Sequence, residues 1–299
     1  MKNKRVPDVG KRDKTNKFLF DRLLAVIQSS HPIKSTTVIL LRDGTDGMEV
    51  FMVTRNAGID FAGGALVYPG GKTNPEDLTP ETAAYCDGNN DLDISEIGSR
   101  VCGIRETFEE AGFLLAREKK TGMLVDRERC LLIGNAYRDP IRRGELSMKD
   151  LASNEHLTLA CDLLVPFAHW ITPSISPKRY DTWFYLAKAP EGQLGSHDNS
   201  ETVASLWINP DQALAGAKNK IYNIVFATRM NLRKLGKSDN VKLAMNMAQA
   251  NKVITVEPEV INNNNNITFR IPWEAGYDME QETETGGPAV SFYASSKYR

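Results

Sequence analysis

Apolar residues recur at spacings of three and four through Val101, Ile104, Phe108, Ala111 and Leu115. That period predicts a helix over about 97–117, packed by one face onto a sheet. Elsewhere the period is two. Residues 36–41 and 48–54 are β-rich runs joined by Asp43-Gly44-Thr45-Asp46-Gly47, which reads as a hairpin. The apolar run 163–172, the alternating run 179–186 and residues 201–207 predict further strands. Asn209-Pro210-Asp211 supplies a cap residue and a first-turn proline, so helices are expected over 213–218, 221–235 and 241–250. Between Gly122 and residue 163 short helical pieces alternate with loops, one of them capped by Ser147. The Asn run at 262–266 reads as a low-complexity loop before a strand at 267–271. Residues 1–17 read as a mobile basic tail, and Phe18, Leu19, Leu23, Leu24 and Ile27 as a short amphipathic helix ending before Pro32. The whole predicts an α/β chain, a mixed sheet between helices.

A length of 299 residues admits about two domains, and an apolar fraction of 41% can bury a sizeable core. The expected organisation is a tail and short helix over 1–35, one enlarged domain over 36–236, and a helix and strand extension over 237–299 that ends in a disordered tail. Within the domain, residues 76–96 carry seven acids and no Lys or Arg, which reads as an acidic surface insertion. The net charge of −1 argues against a general nucleic-acid binder. The apolar run after the basic amino terminus is short and broken by Asp21 and Arg22, so neither a signal peptide nor a membrane span fits. A cytoplasmic protein with no nucleic-acid and no membrane partner is expected, and a homodimer is an open alternative. Cys86, Cys102, Cys130 and Cys161 form no C-x-x-C pair, which favours a reducing compartment and small buried hydrophobes over a zinc site or nucleophiles.

The candidate chemistry lies on the first helix. Glu106, Glu109 and Glu110 stand at i, i+3 and i+4, which is one helical face. Three adjacent acids stay ionised at neutral pH only with a cation among them, and clustered carboxylate oxygens suit hard divalent ions such as Mg²⁺ or Mn²⁺. Acid pairs on helices are commonly no more than a solvated face. The turn Val67-Tyr68-Pro69-Gly70-Gly71-Lys72 alters that reading, because two glycines let bare backbone approach an ion or a phosphate.

Turn and helix together resemble the Nudix box, G-x5-E-x7-R-E-U-x-E-E-x-G-U with U apolar. This chain has Asp77 at the first acidic position, twenty-seven residues instead of seven before Arg105, and Thr107 at an apolar position. The resemblance therefore carries over Arg105, Glu106, Glu109, Glu110 and the Gly70-Gly71 turn, and nothing to Asp77. Cys102 to Gly112, Trp170-Ile171-Thr172-Pro173 and Arg179-Tyr180-Asp181-Thr182-Trp183-Phe184 are similar to segments of the coenzyme A diphosphatase subgroup, whose box holds a long insertion.

The resemblance implies a Nudix-type α/β/α sandwich with a mixed β-sheet and helical additions at both ends. It implies a metal-dependent hydrolase that cleaves the diphosphate of a nucleoside diphosphate linked to another moiety. In that subgroup the substrate is coenzyme A or acyl-CoA, giving 3′,5′-ADP and (acyl-)4′-phosphopantetheine. Mg²⁺ or Mn²⁺ would be held by Glu106, Glu109, Glu110 and the Gly70 carbonyl, with Arg105 pairing a carboxylate of the cluster and holding the turn against the helix. Glu201 is the candidate for a further metal ligand or the base that takes a proton from water, with His197 and Asp198 as rivals. Arg55, Lys72 or Arg179 would hold substrate phosphates, although an exposed Arg is an equal reading of Arg55. An ADP-ribose or NADH-type diphosphatase and a non-catalytic Nudix-fold ligand-binding module are the alternatives.

Overall fold

The computed structural model describes residues 31–58, 63–176, 178–198, 200–263, 266–279 and 281–285. The expected amino-terminal tail and helix, and the tail beyond residue 285, lie outside them.

The hairpin forms as expected. β1 (Ile33–Gly44) and β2 (Gly47–Arg55) are antiparallel with Gly44 opposite Gly47, and Gly47 has φ 108°, a turn conformation that glycine adopts without strain. β1 is the spine of the sheet. Its first half pairs antiparallel with β4 (Gly70–Lys72), Thr36 lying opposite Gly71. Along its other edge it runs parallel to β8 (Tyr180–Lys188), which pairs antiparallel with β7 (Val165–Ile171). The two-residue β3 (Leu66–Val67) and β9 (Thr202–Ile208) pair with β2, and β10 (Thr255–Val256) joins β7, making a mixed sheet of eight strands. Outside it, β5 (Ala116–Glu118) pairs with β6 (Leu157–Leu159).

Strand alternation divides the interior into two cores. Val38, Leu40, Phe51 and Val53 face one side, against Val101, Ile104, Phe108 and Ala111 of helix α2 (Ile94–Ala111). Ile39, Leu41, Val50 and Met52 face the other, against α5 (Pro210–Lys218), α6 (Phe226–Leu235) and α7 (Val241–Ala250). Helices on both faces of a mixed sheet make the α/β/α sandwich. Each fully buried aliphatic or Phe side chain contributes about 1.5–3 kcal/mol. Val241, Ala244 and Val256, from beyond residue 236, are buried in the second core.

The elements depart from expectation in five places. α2 ends at Ala111, not near 117, because Gly112 takes a left-handed φ of 71° and stops the helix; at the other end the Asp93 carboxylate accepts from the Glu96 N–H at 2.8 Å. The insertion is not wholly a surface feature. It holds a 3-10 turn (Pro75–Leu78) and α1 (Pro80–Ala83), with Asp77, Thr82, Ala83 and Cys86 buried, and Asp87 N–H donates to the Leu159 carbonyl at 2.9 Å. The stretch after Gly122 contains a sixteen-residue helix, α3 (Arg127–Arg142), before the Ser147-capped α4 (Met148–Asn154). α6 starts at Phe226 instead of 221, since Asn223 is engaged with β3: its carbonyl accepts from Leu66 N–H at 2.8 Å. Part of the Asn run lies in strands: Asn262 and Asn263 end β11 (Glu259–Asn263) and Asn266 begins β12 (Asn266–Arg270), which pair antiparallel, while residues 264–265 lie outside the described residues; β13 (Gln281–Thr285) completes that small sheet. No helix among the described residues is long and apolar enough to cross a membrane.

Candidate active site

The carboxyl half of α2 is buried on all sides, its charged face included. Arg105 is 5% exposed, Glu106 9%, Glu109 8% and Glu110 3%, so these charges must compensate one another. Arg105 does most of this. Its Nη1 donates to Glu106 Oε1 at 2.8 Å and to Glu109 Oε1 at 3.1 Å, and its Nη2 to Asp77 Oδ2 at 3.0 Å and to the Lys72 carbonyl at 2.7 Å. A planar fork of five donors can serve these four acceptors at once, and an ammonium cannot. Burial alone would make Arg105 easier to deprotonate, but Glu106 and Asp77 outweigh it and the guanidinium stays charged.

Asp77 is the correction to the sequence reading. An Asp where the box has Glu and the long spacing to Arg105 argue against a role for it, yet it is 3% exposed and is the carboxylate that receives the side edge of Arg105. The insertion leaves Asp77 beside the turn, where its Oδ2 also accepts from Asn74 N–H at 2.9 Å. Counting five residues on from Gly71 points to Asp77, but only the structure shows that the added length enters after it and leaves it beside Arg105.

The glycine turn lies against the acids. Gly70 N–H donates to Glu110 Oε2 at 2.9 Å, so the contact of Gly70 with the cluster is made by its N–H, whereas the expectation named its carbonyl. A Cβ on Gly71 would lie 2.4 Å from Glu106 Oε1, which explains a residue without a side chain there. Thr107, at the apolar position of the pattern, is small enough to be fully buried.

Burial pushes Glu106 up to about 7, against the pull of Arg105 and with Glu109 and Glu201 adding to it. Burial likewise raises Glu109, and raises Glu110 well above the carboxylate range, where Glu106 adds and the Gly70 N–H and Arg55 oppose. No group of three or more His, Cys, Asp or Glu among the described residues is drawn together as a ready ligand set, since Arg105 lies between Glu106 and Glu109 and Glu110 is turned to Gly70. The residues nonetheless fit a hard divalent cation: buried carboxylates that lean toward protonation lack positive charge, and such an ion supplies it. The linkage has a definite sign. Glu106 binds its proton more tightly folded than unfolded, so its contribution to stability is complete below about 4.5 and is lost as pH rises through about 7. Thermal unfolding in EDTA is expected to show a Tm that declines between pH 5 and 8, less steeply in Glu106→Gln, and Mg²⁺ is expected to recover part of it at pH 8. A decline of equal slope in both proteins would contradict this.

Two further elements close the site. Asp198 accepts the N–H groups of Ser200, Glu201 and Thr202 at 3.1, 3.2 and 2.8 Å and both neighbouring hydroxyls, of Ser200 at 2.6 Å and Thr202 at 2.8 Å. Burial works against its charge, but these bonds hold it down at about 2. Asp198 is thus the anchor of the loop that carries Glu201, and the charge of Glu201 raises Glu106, Glu109 and Glu110. Arg138 on α3 joins that loop to the helix: its Nε donates to the Glu109 carbonyl at 2.8 Å and its Nη2 to the Ser196 carbonyl at 2.7 Å. Neither positioning role was legible in the sequence, where Arg138 is one of several arginines on a polar helix. Arg138→Gln is expected to lower turnover on the order of tenfold with KM little changed and the circular dichroism spectrum intact, because the loop loses its tether and not its ligands. Unchanged turnover would deny the tether a role.

Of the expected phosphate-holding residues, Arg55 lies at the end of β2 close enough to lower Glu110, and its buried Nε has no partner among the described residues. Lys72 is exposed on β4, next to Gly71. Arg179 is not brought to the cluster: Nε donates to the Thr172 carbonyl at 2.9 Å and Nη2 meets Glu257 at 2.7 Å, which ties β8 to the segment after β10. His197 faces Ser205 at 3.4 Å. The four cysteines are buried, and burial pushes the Cys102 thiol up to about 12, which removes it as a nucleophile.

A family model described as the NUDT19 Nudix domain matches residues 84–227, which takes in α2 and stops short of the glycine turn. Acyl-coenzyme A diphosphatase NUDT19 of Xenopus laevis is 23% identical over 218 residues, covering 60% of this chain and 57% of that protein. The human protein of the same name is 26% identical over 144 residues, covering 45% of this chain and 38% of that one. The matches therefore span 57% and 38% of the length of these two relatives. The crystal structure of a NUDIX hydrolase from Alicyclobacillus acidocaldarius aligns with a TM-score of 0.57 at 25% identity, over 73% of this chain and 97% of that one.

Proposed function

We propose that the chain, similar in sequence and fold to Nudix hydrolases, is a divalent-cation-dependent diphosphatase whose substrate is coenzyme A or an acyl-CoA, cut to 3′,5′-ADP and (acyl-)4′-phosphopantetheine. The observation that carries the reading is the buried set Glu106, Glu109 and Glu110, held by Arg105 and Asp77 against the Gly70-Gly71 turn. A Mg²⁺ or Mn²⁺ ion held by these acids would neutralise the diphosphate and make water more acidic.

The chain's own groups account for the rest. Glu201, on the loop anchored by Asp198, takes the proton of the attacking water. The water oxygen then bonds to one phosphorus as the bridging P–O bond breaks. Arg55 and Lys72 hold the non-bridging oxygens, as a charge-assisted fork and a point charge respectively. Asp77 and Arg105 touch no substrate atom; they set where the glutamates stand.

The coenzyme A choice is supported by the similarity to the two acyl-coenzyme A diphosphatases. Incubating the protein with Mg²⁺ or Mn²⁺ and a panel of coenzyme A, acetyl-CoA, ADP-ribose and NADH, with products separated by chromatography, tests it. Release of 3′,5′-ADP is expected from the first two. Cleavage of ADP-ribose or NADH alone would replace the substrate and keep the site, and no cleavage of any of them would favour a ligand-binding module.

A further inference from the structure

The amino-terminal half of α2 borders a cavity that the acids do not reach. Its volume is about 760 Å³, and its walls come from α2, β1, β8, the start of β7 and the end of α7. That is within the range of about 300–1,000 Å³ usual for small-molecule sites. Glu106, Glu109 and Glu110 do not line it. Arg100 does, and it stands six residues before Glu106, about 9 Å along the helix axis.

Arg100 is a buried cation without a counter-charge. It is 8% exposed, its Nη1 donates only to backbone carbonyls, those of Cys161 at 2.9 Å and of Leu164, and its Nε has no partner among the described residues. No carboxylate among the described residues lies within ion-pair distance of it. The centre of the Tyr185 ring lies 5.2 Å from the Arg100 guanidinium carbon, but a buried guanidinium without an anionic partner still carries a desolvation cost that an anion would offset. Two more cations line the same space, Lys34, whose Nζ donates to Ser95 at 2.9 Å, and Lys252 at the end of α7; both are exposed. The acids along the wall are weaker opponents. Asp162 is gripped by both Nη atoms of Arg117 at 2.6 and 2.8 Å, Asp181 Oδ1 is hydrogen-bonded to His169 Nε2 at 2.5 Å, and Glu96 is exposed at the rim. The rest of the lining mixes an apolar patch of Leu78, Leu164, Val165 and Trp183 with neutral polar side chains, among them Ser99 and Asn251.

We infer that this cavity is a binding site for a phosphomonoester with an apolar or aromatic body. Three cations suit a group that carries nearly two negative charges at neutral pH better than they suit a carboxylate, and the apolar wall takes the body. Binding there is independent of hydrolysis at the acids of α2.

Isothermal titration of the full chain with AMP in EDTA tests this, since the acids of α2 then lack the divalent cations that would hold a phosphate beside them. Saturable binding is expected, about tenfold or more weaker in Arg100→Met and in the Lys34→Glu, Lys252→Glu double variant, whose exposed positions leave folding intact. Glu110→Gln is expected to bind AMP as the unaltered protein does, which separates this site from the failure or success of the hydrolase reading. Adenosine and inorganic phosphate are each expected to bind more weakly than AMP. Absence of saturable binding, binding indifferent to the double charge reversal, or binding lost in Glu110→Gln would overturn the assignment; phosphate alone binding as tightly as AMP would overturn the part given to the apolar wall.

Discussion

Glu110→Gln is expected to lower diphosphate cleavage by at least about two orders of magnitude, the loss typical of removing one electrostatic partner of a developing charge. The substitution is nearly isosteric. Its amide oxygen still accepts from Gly70 N–H, the 2.9 Å contact that joins helix and turn, so the fold is expected to stand. What disappears is one negative charge at a position 3% exposed. Because burial already raises that carboxyl well above its ordinary range, the cation-free variant is expected to unfold at the same temperature as the parent or above it. A lost rate with a kept or raised Tm therefore marks a ligand, whereas a lost rate with a lowered Tm marks a structural acid. Turnover near that of the parent would remove Glu110 from the site.

The second large effect concerns stability. Arg105→Met leaves the Asp77, Glu106 and Glu109 carboxylates buried without their common partner, and breaking a buried ion cluster from one side costs about 3–5 kcal/mol. Arg105→Lys is expected to recover only a minor part, because a single ammonium cannot meet Asp77 on one edge and Glu106 with Glu109 on the other. Urea unfolding of the two variants with Asp77→Asn and the double variant Arg105→Met, Asp77→Asn would measure the coupling. The double variant is expected to be less destabilised than the sum of the singles. Additive losses would mean that the 3.0 Å contact contributes nothing beyond packing.

The parts of the fold that were legible in the sequence are those where a period or a terminator acts locally. Alternation along 36–41 and 48–54 put Val38 and Leu40 on one face and Ile39 and Leu41 on the other, and the structure uses both faces because helices cover both. Asn209 and Ser147 cap the helices they were expected to cap. The end of α2 was misread because Leu115 continues the apolar spacing, although Gly112, the usual helix terminator, stands before it; Leu115 is buried all the same, beyond the helix.

At the site, the three glutamates, Arg105 and the glycines could be picked out because their spacing is the chemistry. Asp77 could not be secured, because its meeting with Arg105 is made across an insertion whose path no local rule describes. Arg138, and the anchoring role of Asp198 as opposed to the site role for which it is a rival candidate, are hidden in the same way: their partners include backbone groups of Glu109, Ser196 and Thr202, and a sequence does not display which carbonyl or N–H comes within reach. Arg179 was misplaced for the converse reason, that its partner Glu257 is 78 residues away. Charge in a strand reads as a substrate contact until the chain that neutralises it is seen.

The central claim is that the acids of α2 exist to hold divalent cations beside a diphosphate, and Mn²⁺ titration followed by electron paramagnetic resonance at pH 8 tests it most directly. Saturable Mn²⁺ uptake is expected in the parent protein, tightened by a non-hydrolysed diphosphate and lost in the Glu106→Gln, Glu110→Gln double variant. Uptake that is absent, or that persists undiminished in that variant, would contradict the account.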